Sequence, residues 1–154
     1  AQLKWGFALV AVLAVFNSSG RVIGGFLSDR IGRNTTLIMM FALQAVNMMM
    51  FSNYNSMTSL TVGVCITGIA YGSLLGIFPA LTYDFFGLKN SGVNYGLVFT
   101  AFGAAGLIGP LTAGKIVDIT GSYDFAYLAA AAILVIAAIM VKFLKQPQTE
   151  AANS

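Results

Sequence analysis

Five stretches of this chain, roughly residues 5–28, 36–52, 59–82, 92–117 and 124–144, are apolar on all sides and approach the length of about 20 residues that a helix needs to cross hydrocarbon. No other feature restricts the fold so strongly. In lipid a backbone must satisfy its own hydrogen bonds, which leaves helices or closed barrels, and a barrel strand would show alternating segments of about ten residues. The expected class is therefore an all-α membrane protein with about five transmembrane helices. Composition points the same way. With 58% hydrophobic and 8% charged residues among 154, and no His, the chain has too little polar surface to coat a soluble domain. The Glu- and Lys-bearing outer faces of soluble amphipathic helices are missing over long stretches.

The breaks at 28–34, 52–56, 84–91 and 118–124 are rich in turn formers and short enough to make neighbouring spans antiparallel. One side then collects Arg30, Arg33, Lys89, Lys142 and Lys145, and the other Lys4 and Lys115. The positive-inside rule makes the first side cytoplasmic, which predicts a cytoplasmic C-terminus, a cytoplasmic 29–34 loop and an external N-terminus in the plasma (inner) membrane. The number of spans is then odd. Carriers built from repeats of three helices suggest a six-helix half lacking its first helix. Residues 1–145 are read as that partial six-helix bundle, which the resemblance given below implies is a C-terminal one, and the polar 146–154 as a cytoplasmic tail. Ala1 is not an initiator Met and no signal peptide is legible, so the chain reads as a fragment or a processed product.

Other classes lose ground on the same residues. The formal charge of +3 is spread between apolar segments without a basic patch, which argues against nucleic acid. Cys65 is alone, so no disulfide or thiolate metal site forms within the chain, and it reads as a small packing residue. With no His, no nucleophile beside a base and no phosphate loop, neither an enzyme nor a cofactor or metal is expected.

The run 20–33, GRVIGGFLSDRIGR, concentrates charge at the end of the first span. Within it Gly25-x-x-x-Asp29-Arg30-x-Gly32-Arg33 resembles the loop motif of the major facilitator superfamily, departing at Asn34, where the family has a basic residue. Mechanically, Gly25 would let two helices approach, Asp29 would cap or pair across the cytoplasmic ends, and the arginines would anchor the turn in water. The resemblance implies helices 8–12 of a twelve-helix carrier. It implies in turn a missing N-terminal half of the same carrier as partner, without which the chain alone should not transport.

A second resemblance concerns the subgroup. Phe16-Asn17-Ser18-Ser19-Gly20-Arg21 with Gly24, Phe78-Pro79-Ala80-Leu81-Thr82-Tyr83-Asp84-Phe85-Phe86-Gly87, Asn94-Tyr95-Gly96 and Thr100-Ala101-Phe102-Gly103 are similar to oxalate:formate antiporters and monocarboxylate transporters. These imply secondary transport of small organic anions such as formate, oxalate, lactate or pyruvate, by antiport or symport, with a small carboxylate and the lipid bilayer as partners. Sugar or drug porters of the same superfamily, and a non-transporting membrane assembly subunit, stand as alternatives.

Arg21 is the residue to explain, since it lies about five helical residues, or roughly 8 Å, inside Phe26 and a charge there is costly. Its planar fork suits a carboxylate, and the resembled carriers use an Arg at this place as the carboxylate anchor. The competing reading is a structural Arg satisfied by carbonyls. Asn17, four residues earlier, shares its helical face, with Ser18 and Gly24 beside them. Asn17 stands where proton-coupled relatives have a protonatable Asp. With Asp84, Asp118 and Asp124 near span ends, no intramembrane proton carrier is evident. Phe102 occupies the place of the lysine that oxalate carriers use for a second carboxylate, which leans the substrate toward a monocarboxylate. Phe102 either lines the cavity or faces lipid. Tyr71, Asn94 and Tyr95 either orient a carboxylate or glue helices. Lys115 is expected to snorkel, with Asp118 as partner. Gly68, Gly72 and Gly76 make a smooth face on the third span, Gly103, Gly106, Gly109 and Pro110 soften the fourth, and Pro79 and Pro110 can kink their helices. Met48, Met49 and Met50 read as lipid-facing packing.

Overall fold

A computed structural model describes residues 2–145 as five helices: α1 (Gln2–Ile31), α2 (Arg33–Phe51), α3 (Met57–Phe86), α4 (Ser91–Thr120) and α5 (Asp124–Phe143). The 146–154 tail lies outside the described residues. All five helices are long and apolar enough to cross a membrane. Among the described residues there is no strand.

The helices overrun the apolar stretches. α1, α3 and α4 each hold 30 residues, about 45 Å of helix against about 30 Å of hydrocarbon. Apolarity marks only the part in lipid, whereas the helix continues into the headgroup zone. Asp29 and Arg30 are thus not in an open loop but in the last turn of α1, and Arg33 opens α2. The whole break is Gly32, whose φ of 92° lies in the left-handed region that glycine enters without strain. Its carbonyl accepts from both the backbone N–H (3.1 Å) and the hydroxyl (2.9 Å) of Thr36, so the new helix starts at once. The 52–56 turn is different in kind. Ser56 and Ser59 form a reciprocal capping box that starts α3.

The most extensive contact joins α1 to α3, and it is made of glycines. Gly68, Gly72 and Gly76 lie against the α1 backbone, where a Cβ on Gly72 would strike the Asn17 carbonyl and one on Gly76 would stand 2.7 Å from the Arg21 carbonyl. From the other side Gly20 and Gly24 receive Ile69 and Ser73. Small residues give these two helices dispersion contact along their backbones, the attraction available where lipid removes the hydrophobic drive. The Ser73 hydroxyl adds hydrogen bonds to the Gly20 (3.0 Å) and Ile69 (2.7 Å) carbonyls.

α2 packs on α5 and α3 through Leu37, Phe41, Ile77, Leu81 and Val141, all buried. Further along, the fully buried Asn47 ties α2 to α3. Its amide donates to the Gly63 carbonyl and to Thr67 Oγ1, both at 3.0 Å, while its oxygen accepts from the Tyr54 hydroxyl at 3.0 Å. α4 is the exception. It touches only α3 and α5, lightly, and buries no residue among the described ones. Gly103, Gly106 and Gly109 have no described neighbour within 4 Å of a notional Cβ.

Two interactions bring the C-terminal ends of α3 and α5 to the N-terminal end of α2 at one end of the bundle. Arg33 Nε donates to Asp84 at 3.0 Å, and Asn34 Nδ2 donates to the Leu144 carbonyl at 2.7 Å. Arg30, Arg33, Lys89, Lys142 and Lys145 therefore share that end, as the alternation of spans requires. At the opposite end Ser52 and Asp124 border one small cavity. The expected pairing of Lys115 with Asp118 is not formed. Both are exposed, and the ion pairs found among the described residues both belong to Arg33. One turn apart on a helix surface, this pair gains too little from water-screened attraction to hold two side chains in place. Met49 and Met50 are half exposed on the outside of α2.

Candidate anion-binding cleft

The glycine seam fixes where Arg21 goes. Gly20 and Gly24 turn one face of α1 onto α3, so Arg21, about 100° around the helix from Gly20, is left beside the seam rather than in it. Its side chain is exposed and one guanidinium nitrogen donates to Asn17 Oδ1 at 3.4 Å, a long bond between residues four apart. The expected polar stripe of Asn17 and Arg21 is thus present. Gly24 leaves it, being buried against Ser73, and the Ser18 hydroxyl turns back to the Ala14 carbonyl.

Arg21 borders a cleft of about 450 Å³ whose other walls are Tyr71 and Leu75 from α3 and Tyr95, Phe99 and Phe102 from α4. Four of these rings form a ladder. Tyr71 meets Phe102 with ring centroids 5.9 Å apart, Phe102 stacks on Phe99 at 4.9 Å, and Phe99 meets Tyr95 at 5.6 Å. Such separations are those of favourable aromatic pairs. The cleft thus has a cation at one wall, two phenolic hydroxyls and otherwise apolar rings. No acidic side chain lines it, and among the described residues Arg21 has no carboxylate within ion-pair distance. An unpaired guanidinium at this depth leaves a positive field that an anion would neutralise.

The structure brings Arg21, Asn17, Tyr71, Tyr95 and Phe102 together. Asn94 is half-buried next to Tyr95 but is not among the cleft residues. Of the two readings of Phe102, the geometry places it on the cleft wall. Phe99 and Leu75 join the site without having been singled out. Phe99 was accessible in principle, because positions 95, 99 and 102 fall on one helical face. Leu75 had no side-chain signal. It lies four residues before Pro79, which lacks the N–H that would bond the Leu75 carbonyl, so one helical hydrogen bond is missing beside the cleft.

The 25–33 motif is a separate structure at the end of α1. Arg33 bonds Asp29, Asp84 and Ser28, the last at 2.7 Å, and Ser28 donates on to the Gly25 carbonyl at 2.8 Å. Arg30 lies over the Phe26 ring at 4.3 Å. The close approach expected at Gly25 occurs instead at its neighbour Gly24. Gly25 lies about 100° further round the helix, with no described atom near its notional Cβ. Asp84 was read as a span-end charge, and its partner Arg33, 51 residues away, emerges only from the packing of the start of α2 beside the end of α3.

Comparison with known proteins agrees with this architecture. The Major Facilitator Superfamily matches over residues 1–154. An MFS-type transporter of Escherichia coli (strain K12), YhjX, is 33% identical over 61% of this chain and 24% of its own length. Monocarboxylate transporter 14 of Mus musculus is 31% identical over 79% of this chain, and the oxalate:formate antiporter of Oxalobacter formigenes 29% over 65%, each again across 24% of the relative. The chain spans about a quarter of the length of these relatives. With five long apolar helices, a glycine-packed bundle and a match over its whole length, the chain belongs to the Major Facilitator Superfamily.

Proposed function

We propose that the carrier containing this chain moves small organic anions by alternating access, with Arg21 holding the substrate carboxylate. One observation carries the reading: the Arg21 guanidinium stands in a cleft where, among the described residues, no carboxylate neutralises it. The relatives whose names include monocarboxylate, oxalate:formate and pyruvate support anions as the cargo. A structural Arg would hydrogen-bond carbonyls of a neighbouring helix, and among the described residues Arg21 instead reaches Asn17 alone. A sugar porter or an assembly subunit would give the unpaired cation no task. Phe102 adds a ring where a second cation would be needed, so a monocarboxylate suits the cleft better than oxalate. In this reading the five helices are the last five of a twelve-helix carrier, the basic end is cytoplasmic, and the rest of the carrier supplies the other wall of the path.

The test is uptake of labelled formate, oxalate, lactate and pyruvate by the reconstituted full-length carrier, native against Arg21→Gln. Loss of uptake by at least tenfold is expected, the scale of a charged hydrogen bond. Unchanged carboxylate uptake in the variant would remove Arg21 from the site.

A further inference from the structure

At the basic end of the bundle Arg33 takes both nearby carboxylates, Asp29 and Asp84. Among the described residues Arg30, Lys89, Lys142 and Lys145 are left exposed there without an ion-pair partner. The two on α5 and just beyond it differ from the others in what lies beneath them. Leu128, Val135, Ile139 and Lys142 recur at helical spacing, so they share one face of α5, and all four are exposed. Leu128 borders a small cavity of about 130 Å³ together with Met48 and Met49, so this face flanks the α2–α5 contact and forms one side of an outer crevice. At the other end of the crevice Asn34 donates to the Leu144 carbonyl at 2.7 Å, which pins the chain after α5 to the first turn of α2 and keeps Lys145 close to Lys142. We propose that the crevice seats an anionic phospholipid, with its phosphate between Lys142 and Lys145 and an acyl chain along Ile139, Val135 and Leu128. The proposal is independent of Arg21 and of what the cleft carries.

Charge and length select the occupant. From Lys142 to Leu128 the strip runs about 21 Å at ~1.5 Å per residue, against roughly 15 Å for the hydrocarbon of one leaflet, so an acyl chain meets apolar side chains over its whole depth. Lysine ammonium groups on flexible stems reach a phosphate as point charges while the stems stay on the apolar surface. A choline lipid carries its own cation beside the phosphate and gains little from two more. A lipid with net negative charge gains about fivefold in occupancy from each lysine near the surface. The other two cations lack this seat. Arg30 already lies over the Phe26 ring at 4.3 Å, and Lys89 stands in the turn between α3 and α4, off any helical strip.

The experiment is native mass spectrometry of the full-length carrier, released from detergent micelles doped with phosphatidylglycerol or phosphatidylcholine of the same acyl chains. Retained lipid is counted for native protein and for Lys142→Gln, Lys145→Gln, Arg30→Gln and Lys89→Gln. Native protein should keep phosphatidylglycerol at least fivefold over phosphatidylcholine, and inorganic phosphate at the lipid's concentration should not displace it. Each of the two α5-end lysine variants should lower phosphatidylglycerol retention about fivefold, while Arg30→Gln and Lys89→Gln change it less than twofold. Equal retention of the two lipids would overturn the proposal. So would displacement by inorganic phosphate, which would mark a site for the free ion, and so would equal losses in all four variants, which would mark diffuse attraction to a charged surface. The lipid contrast and the phosphate competition use native protein alone, so a variant that fails to fold leaves the test decisive.

Discussion

Arg21 and Arg33 carry the same guanidinium into opposite circumstances. Arg33 is shared between Asp29 and Asp84 at the water-facing end, with side-chain exposures of 20% for Arg33 and 41% for Asp84, whereas Arg21 is left with one long amide contact. A half-exposed pair is worth about 0.5–1 kcal/mol, so a double-mutant cycle of Arg33→Gln with Asp84→Asn should return a coupling of that order, shrinking at high salt. Coupling near zero would leave the tie between α2 and α3 to the buried Leu37, Phe41, Ile77 and Leu81 contacts and the Asn47 hydrogen bonds. Arg21→Lys keeps the charge and loses the planar fork. Carboxylate uptake should persist with KM raised several-fold, while Arg21→Gln loses it, a contrast that initial-rate measurements resolve. Asn34, in the place of the family's basic residue, uses its amide N–H on Leu144 and leaves Oδ1 buried without a hydrogen bond. Asn34→Asp would set a carboxylate against that carbonyl and should lower stability by about 1–3 kcal/mol, read from thermal unfolding in detergent.

Helix by helix, substitution should be unequal. A side chain at Gly72 meets the Asn17 carbonyl, and both are backbone of packed helices with no flexible end to move aside. Gly72→Leu should therefore separate α1 from α3 and lower the unfolding midpoint sharply, whereas Gly106→Ala, facing open space in this chain, should be neutral or gain up to about 1 kcal/mol of helix propensity. Equal midpoints for the two variants would contradict the packing described. The 68, 72, 76 repeat was legible because a period of four keeps to one helical face. Its partner was not, since the approach is made by α1 backbone, which side-chain patterns do not report. Helix ends lie beyond the apolar stretches for a related reason. Apolarity measures the thickness of lipid, and backbone hydrogen bonding goes on past it until a residue such as Gly32 or Gly121, with φ of 72°, breaks it.

Taken whole, the bundle sorts its turns to two ends, and that is open to direct measurement. Cys65 is the one cysteine of these 154 residues, so a carrier in which it and any cysteine outside them are replaced by serine accepts single reporters. Asn53→Cys and Ser122→Cys should react with an impermeant maleimide on intact cells, and Lys89→Cys only after permeabilisation. The reverse pattern would invert the proposed orientation. The alternation of spans and the charge bias were readable in the sequence because lipid imposes both. The site was only half readable: Arg21 and Asn17 announce themselves by charge and spacing on one helix, whereas the ring ladder needs α3 and α4 side by side. α1 and α3 are locked backbone to backbone, and α4, which contributes three of the cleft's rings, is held only lightly. Inheritance can act on these two parts at different speeds. Changes along the seam demand a matching change on the facing helix, while changes at positions 98–102 do not disturb it. A lineage descending from this protein can thus reshape the cleft by altering one helix and keep Arg21 and the frame it was born with.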